Sequence, residues 1–116
     1  MSDATGDTRG YLPEIYRRLR EDQPAVLAAY GRLAEACSAA GPLSSAEQRL
    51  VKLGIAIGLG SEGAVRSHAR RALDEGVSAE AILHAIVLAV PTAGFPATVA
   101  AYGWASEVLG HREETA

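Results

Sequence analysis

Only one cysteine, Cys37, occurs among 116 residues. A single thiol has no partner in its own chain, so intramolecular dithiol–disulfide chemistry is excluded. Aromatic residues are scarce, at 5%. Alanine fills much of the apolar quota and buries little area per residue, so the core of one copy is expected to be thin. Long apolar runs are missing too. The stretch from Ala81 to Val90 contains His84 and stops at Pro91, well short of a bilayer span. There is no excess of positive charge. The net charge is −3, and the densest basic cluster, Arg17, Arg18 and Arg20, is flanked by Glu14, Glu21 and Asp22. This speaks against a nucleic-acid surface. The opening residues, MSDATGDTRG, have no signal-peptide apolar core. The expectation is a cytoplasmic protein with neither a membrane nor a nucleic-acid partner.

What is present is the balance of a globular chain, 48% apolar and 22% charged. Its length suits one domain. We expect a disordered tail over residues 1–10, one helical domain over 11–110 and a frayed tail over 111–116. No strand alternation of useful length appears, so the expected class is all-α, with about six helices. The first two cover residues 11–21 and 25–39, with Pro13 and Pro24 near their starts. Ser44-Ser45-Ala46-Glu47 fits a capping box, with Ser44 as N-cap and Glu47 at the third helical position. The helix it opens extends to about Leu59. Gly54 and Gly58 lie on one face of it, which favours close packing of another helix over space for a ligand. A further helix over residues 64–75 closes at Gly76. Ser78 caps the next, over 79–90, which is apolar on nearly all sides and reads as central or interfacial. The last spans about 92–109, with Pro96 in its first turn or at a kink.

Candidate chemistry centres on histidine. His111 lies in the tail. His84 interrupts an apolar helix and reads as a buried, hydrogen-bonded structural residue. His68 is more informative. On a helical wheel Ser61, Ala64, Val65, His68 and Ala72 share one face, while Glu62, Arg66 and Arg70 point away. An imidazole titrating near neutrality thus projects from a small, apolar face, where a structural and a proton-transfer role are both open. No metal-ligand spacing is present. Gly58, Gly60 and Gly63 match G-x-G-x-x-G in spacing, but no strand precedes them, so the dinucleotide reading fails. No nucleophile elbow for a serine triad is found.

The stretch LSSAEQRLVKLGIAIGLGSEGAVRSHARRALDEGVSAEAILHAIVLAVPTAGFPATVAAYGWASEVL, residues 43–109, resembles the carboxymuconolactone decarboxylase family, which includes the alkyl hydroperoxidase D type. The strongest parts are the H-x-R-x-A-L-x-x-G run from His68 to Gly76, the acidic helix start that follows it, and the G-F-P segment at Gly94 to Pro96. The resemblance implies an all-α fold assembled as a homo-trimer or homo-hexamer. The family's redox branch carries C-x-x-C-x-x-x-H with a glutamate one helix earlier. With its histidine aligned on His68, the cysteine positions fall on Ser61 and Ala64, and the glutamate position falls on Arg49, with Glu47 nearby. A peroxidase of that kind needs a thiolate, a resolving thiol and a base, and serine and alanine supply none of these.

The lactone-decarboxylating branch fits better. It implies a cofactor-free lyase acting on a small unsaturated carboxylated lactone or a related acid. The resemblance then makes His68 the proton donor, and Arg49, Ser61 and Arg71 substrate-binding candidates: Arg49 for a carboxylate or oxyanion, Ser61 as a hydrogen-bond donor, and Arg71 as the weaker cation. Arg49 and Arg71 read equally well as salt-bridge residues at a surface or interface. The alternative function is a non-catalytic oligomeric ligand-binding or accessory protein of the same fold. A third reading is a one-cysteine thiol enzyme using Cys37, whose surroundings look like helix packing.

Overall fold

The computed structural model describes residues 8–115, with side chains from Glu14 to Gly110. The described residues are all-α, in seven helical segments: α1 (Thr8–Asp22), α2 (Pro24–Ser38), α3 (Ser45–Leu59), α4 (Glu62–Asp74), α5 (Ala79–Val87), α6 (Val90–Ala93) and α7 (Phe95–Thr115). Of the tail expected over residues 1–10, 1–7 lie outside the described residues, and α1 already begins at Thr8. At the other end α7 continues to Thr115, past the expected stop near Leu109, and the side chains beyond Gly110 lie outside the described residues.

The contacts divide into two compact units, α1–α2 and α3–α7. In the first, Gln23 separates two helices, and Pro24 occupies the first turn of α2, where a missing N–H costs no helical hydrogen bond. No residue of α2 is buried, and Val26, Tyr30 and Leu33 stand exposed along it. Cys37 is exposed near its end.

The second unit holds the core. Leu53, Ala56 and Ile57 of α3, Val65, Ala69 and Ala72 of α4, Ile82 and Ile86 of α5, and Ala101, Ala105 and Leu109 of α7 form one buried cluster. Spacings of three and four residues place each set on one helical stripe. Alanine supplies nearly half of these positions, which lets α4 lie close against both α3 and α7.

The helix ends follow local chemistry. Ser44 Oγ accepts from the Glu47 N–H at 3.1 Å, and the Glu47 carboxylate accepts from the Ser44 N–H at 2.8 Å, completing the capping box. Ser78 caps α5 through the Ala81 N–H at 3.0 Å. Gly60 and Gly76 end α3 and α4 with φ of 68° and 99°, a region that costs glycine little and other residues much.

Three expectations are corrected. The helix expected over residues 79–90 ends at Val87, because Pro91 has no N–H for the Val87 carbonyl and its ring crowds that carbonyl. Pro91 instead enters the first turn of α6, and Pro96 takes the same place in α7. His84 is exposed, not buried: α5 packs through Ile82 and Ile86, and a residue midway between them faces outward. Gly54 and Gly58 do not serve close packing within the chain, since a Cβ added at either meets nothing within 4 Å.

Candidate functional site

α3 and α4 are antiparallel neighbours in sequence and pack against each other, so the first turn of α3 comes beside the second half of α4. That juxtaposition brings Arg49 to His68. Arg49 Nη1 lies 2.9 Å from His68 Nδ1. A guanidinium has donors only, so Nδ1 accepts; the imidazole is neutral and carries its proton on Nε2. Burial first, then the charges of Arg49, Arg71 and Lys52, push the His68 pKa down to about 4, with Glu75 pulling weakly the other way. At pH 7 His68 is then held in its neutral form.

The other side of Arg49 is occupied as well. Its Nε donates to Glu75 Oε1 at 3.1 Å and its Nη2 to Oε2 at 2.9 Å, a bidentate pair. The arginine side chain is 15% exposed and the glutamate 41%. The hydrogen bonds from Arg49 hold the Glu75 carboxyl below the usual carboxylate range. Glu75 was not among the candidates read from the sequence. One signal was available: it lies seven residues after His68, two helical turns on and therefore on the same face.

Of the other candidates, Ser61 is the N-cap of α4, its Oγ accepting from the Ala64 N–H at 3.3 Å. A hydroxyl used this way still has its own proton to donate. Arg71 is exposed and acts on His68 through its charge. Glu47 is engaged in the α3 cap and is not the acid of this site. Arg66, expected to face away, is drawn inward: it pairs with Glu62 at 3.0 Å and with Glu107 of α7 at 2.8 Å, and ties α4 to α7. Among the described residues, no three of His, Cys, Asp and Glu come together as metal ligands, and no helix is long and apolar enough to cross a membrane.

The result is a small polar cluster on an α3–α4 helix pair, in which the charges of Arg49, Arg71 and Lys52 act on His68 against that of Glu75. Such a cluster favours an anion with oxygens to share.

The chain belongs to the carboxymuconolactone decarboxylase family, whose pattern matches residues 24–107. It is also similar in fold to a crystal structure of apo-lpg0406, a carboxymuconolactone decarboxylase family protein from Legionella pneumophila, with a TM-score of 0.75 over 86% of this chain and 88% of that one, at 18% identity. No curated protein matches the chain.

Proposed function

We propose that this protein is a cofactor-free lyase for a small unsaturated carboxylated lactone or a related acid, and not a dithiol peroxidase. The observation that carries the reading is the 2.9 Å contact between Arg49 and His68 in a cluster with excess positive charge. The positions aligned with the redox thiols, Ser61 and Ala64, have no sulfur, and Cys37 belongs to the other unit.

In the proposed reaction the bond between the ring carbon and the carboxylate breaks. Its electron pair passes into the conjugated lactone carbonyl, CO₂ leaves, and the dienolate then takes a proton at carbon. A cation that gripped only the departing carboxylate would stabilise the ground state. Arg49 takes a carboxylate of the substrate in its fork on binding, and it lowers the barrier where its remaining donor, Nη1, reaches the carbonyl oxygen on which negative charge collects. Ser61 and Arg71 help to hold the substrate. His68 gives the proton. The resting imidazole is neutral; when Arg49 Nη1 turns from Nδ1 to the substrate, Nδ1 is free to be protonated and a bound anion beside it favours the charged form, so substrate and proton are taken up together.

The second reading is a ligand-binding or accessory protein of the same fold. The low population of imidazolium at neutral pH favours it, because a histidine that stays neutral is a hydrogen-bond donor and not an acid. Both readings include assembly as a homo-trimer or homo-hexamer. What supports assembly is the α3 stripe Val51, Ile55 and Leu59, the last 77% exposed, together with Phe95, Val99 and Tyr102 on α7. Both also assume a cytoplasmic setting, where a lone thiol stays reduced.

The test is turnover. Ultraviolet loss of carboxymuconolactone is followed with wild type and His68→Ala. The lyase reading expects turnover that His68→Ala lowers by about 10²- to 10⁴-fold. Undiminished turnover in His68→Ala would overturn the assigned mechanism. No turnover on several lactone acids, with saturable binding, would favour the second reading.

A further inference from the structure

Glu75 has three properties that together set it apart from an ordinary salt-bridge partner. It fills both oxygens of a carboxylate against Arg49, at 3.1 and 2.9 Å, the arrangement an anionic ligand would take. It sits at the C-cap of α4, where the helix end carries partial negative charge and repels a carboxylate. It is also far more exposed than the arginine it binds, 41% against 15%. The first property resembles ligand binding, the second weakens its hold, and the third lets it turn out to water at little cost.

We propose that Glu75 is an internal stand-in for the ligand: it occupies the Arg49 fork in the resting protein and is displaced when the anionic group of the ligand takes its place. The inference rests on the reading of Arg49 as an anion-binding residue. One-for-one exchange is what the burial of Arg49 demands. A largely buried guanidinium left without a counter-charge is costly, so an empty fork is a poor resting state. With Glu75 in place Arg49 stays paired and its Nη1 stays against His68. When a ligand arrives, one carboxylate replaces another and Arg49 is never left bare. The exchange also imposes a threshold, because a ligand has to outcompete a tethered carboxylate. A weakly held monoanion does so poorly, and a ligand with a second contact, to Arg71, whose charge also acts on Glu75, does so well. Glu75 is thus a specificity-determining residue that rejects simple carboxylates.

The experiment measures binding of 5-oxotetrahydrofuran-2-carboxylate, a saturated lactone acid, to the full chain through the His68 imidazole signals in NMR. Wild type, Glu75→Gln and Arg49→Lys are compared, with circular dichroism to verify folding. Glu75→Gln keeps a side chain of the same size at an exposed position and removes the competing charge. The probe is expected to bind roughly three- to tenfold tighter to Glu75→Gln than to wild type, and Arg49→Lys, which lacks the fork, is expected to lose binding. Acetate should gain from Glu75→Gln at least as much as the lactone acid does. Equal or weaker binding of the probe by folded Glu75→Gln would overturn the inference and make Glu75 a residue that positions Arg49. If Glu75→Gln does not fold, wild type with Glu75→Asp decides: the shorter acid reaches Arg49 less well, so tighter binding supports displacement and weaker binding overturns it. A probe that moves the His68 signals in no protein overturns the anion-binding reading itself.

Discussion

Arg49 donates to the Nδ1 atom of His68 at 2.9 Å, and this bond fixes the tautomer of the imidazole, while burial and the charge of Arg49 keep it neutral. A histidine that accepts from a guanidinium cannot be protonated at that nitrogen, so its proton sits on Nε2. A glutamate at the position of Arg49, which the resemblance to the family's redox branch implies there, would act on the histidine in the opposite sense. With arginine there instead, the charge at this position adds to burial in depressing the histidine pKa.

The first prediction concerns that pKa. Titration of the His68 ring protons by NMR should give a value of about 4 in the wild-type protein. Arg49→Gln should move it up, toward the ordinary value of about 6.5. A wild-type titration near 6.5, unchanged in Arg49→Gln, would show that neither burial nor Arg49 governs the imidazole.

Stability should depend on pH through the same group. The folded pKa of about 4 lies below the ordinary histidine value of about 6.5, so between these values the unfolded chain binds more protons. The contribution of His68 is therefore fully present above pH 6.5 and is lost as the pH falls toward 4. Its size is up to about 3 kcal/mol, reduced by whatever solvent screening His68 retains. Urea unfolding at pH 7 and pH 4.5 measures it, with His68→Gln as control. If the variant loses as much stability on acidification as wild type, the effect belongs to other groups. Glu75, whose pKa is also depressed, loses its contribution at lower pH, as the medium approaches its folded pKa.

If His68 is the proton donor, kcat/KM should rise on acidification, by about tenfold per pH unit between pH 7 and 5, because it follows the protonated fraction of the free enzyme. The profile of kcat should extend to higher pH, since the bound anion raises the pKa of His68. A kcat/KM that falls through this range would show that the neutral imidazole is the working form.

The capping box at Ser44 should matter out of proportion to its exposure. Ser44→Ala removes the acceptor for the Glu47 N–H and leaves that donor of the first turn of α3 unpaired. The expected loss is about 1 kcal/mol, and Ser44→Gly should cost only a few tenths. Thermal or urea denaturation decides between a cap and a decorative contact: equal stability of all three proteins would show the latter.

The exposed face of α3 gives a paired test of assembly. Leu53→Ala, in the core, should cost about 2–5 kcal/mol. Ile55→Glu should leave an isolated chain nearly unaffected, since Ile55 is 58% exposed in it. If a second copy covers that stripe, sedimentation will show the wild type as an oligomer and Ile55→Glu as a smaller species. A wild type that sediments as one chain removes the assembly proposal.

Much of the fold was legible because helix ends obey local rules. Ser44 with Glu47, Ser78, and Gly60 and Gly76 each act within a few residues, so their caps are readable from the letters alone. The misreadings share a cause. The stretch over residues 79–90 looked like one apolar helix, but Pro91 denies the Val87 carbonyl its donor, and the apolar surplus of Val87, Leu88 and Val90 faces outward. His84 was judged by its apolar neighbours in sequence, whereas burial follows the stripe through Ile82 and Ile86.

The sequence by itself determined that the protein is all-α, where most of its helices begin and end, that its single thiol excludes an internal dithiol pair, and that His68 and Arg49 are the residues most worth placing. These follow from spacing, capping and composition, which act over one or two helical turns. Only the tertiary structure decided the state of the site. The packing of α3 on α4 brings residues 19 and 26 positions apart into one hydrogen-bonded chain, Glu75 to Arg49 to His68. Proton affinity depends on such through-space neighbours and on burial, and neither can be read along the chain.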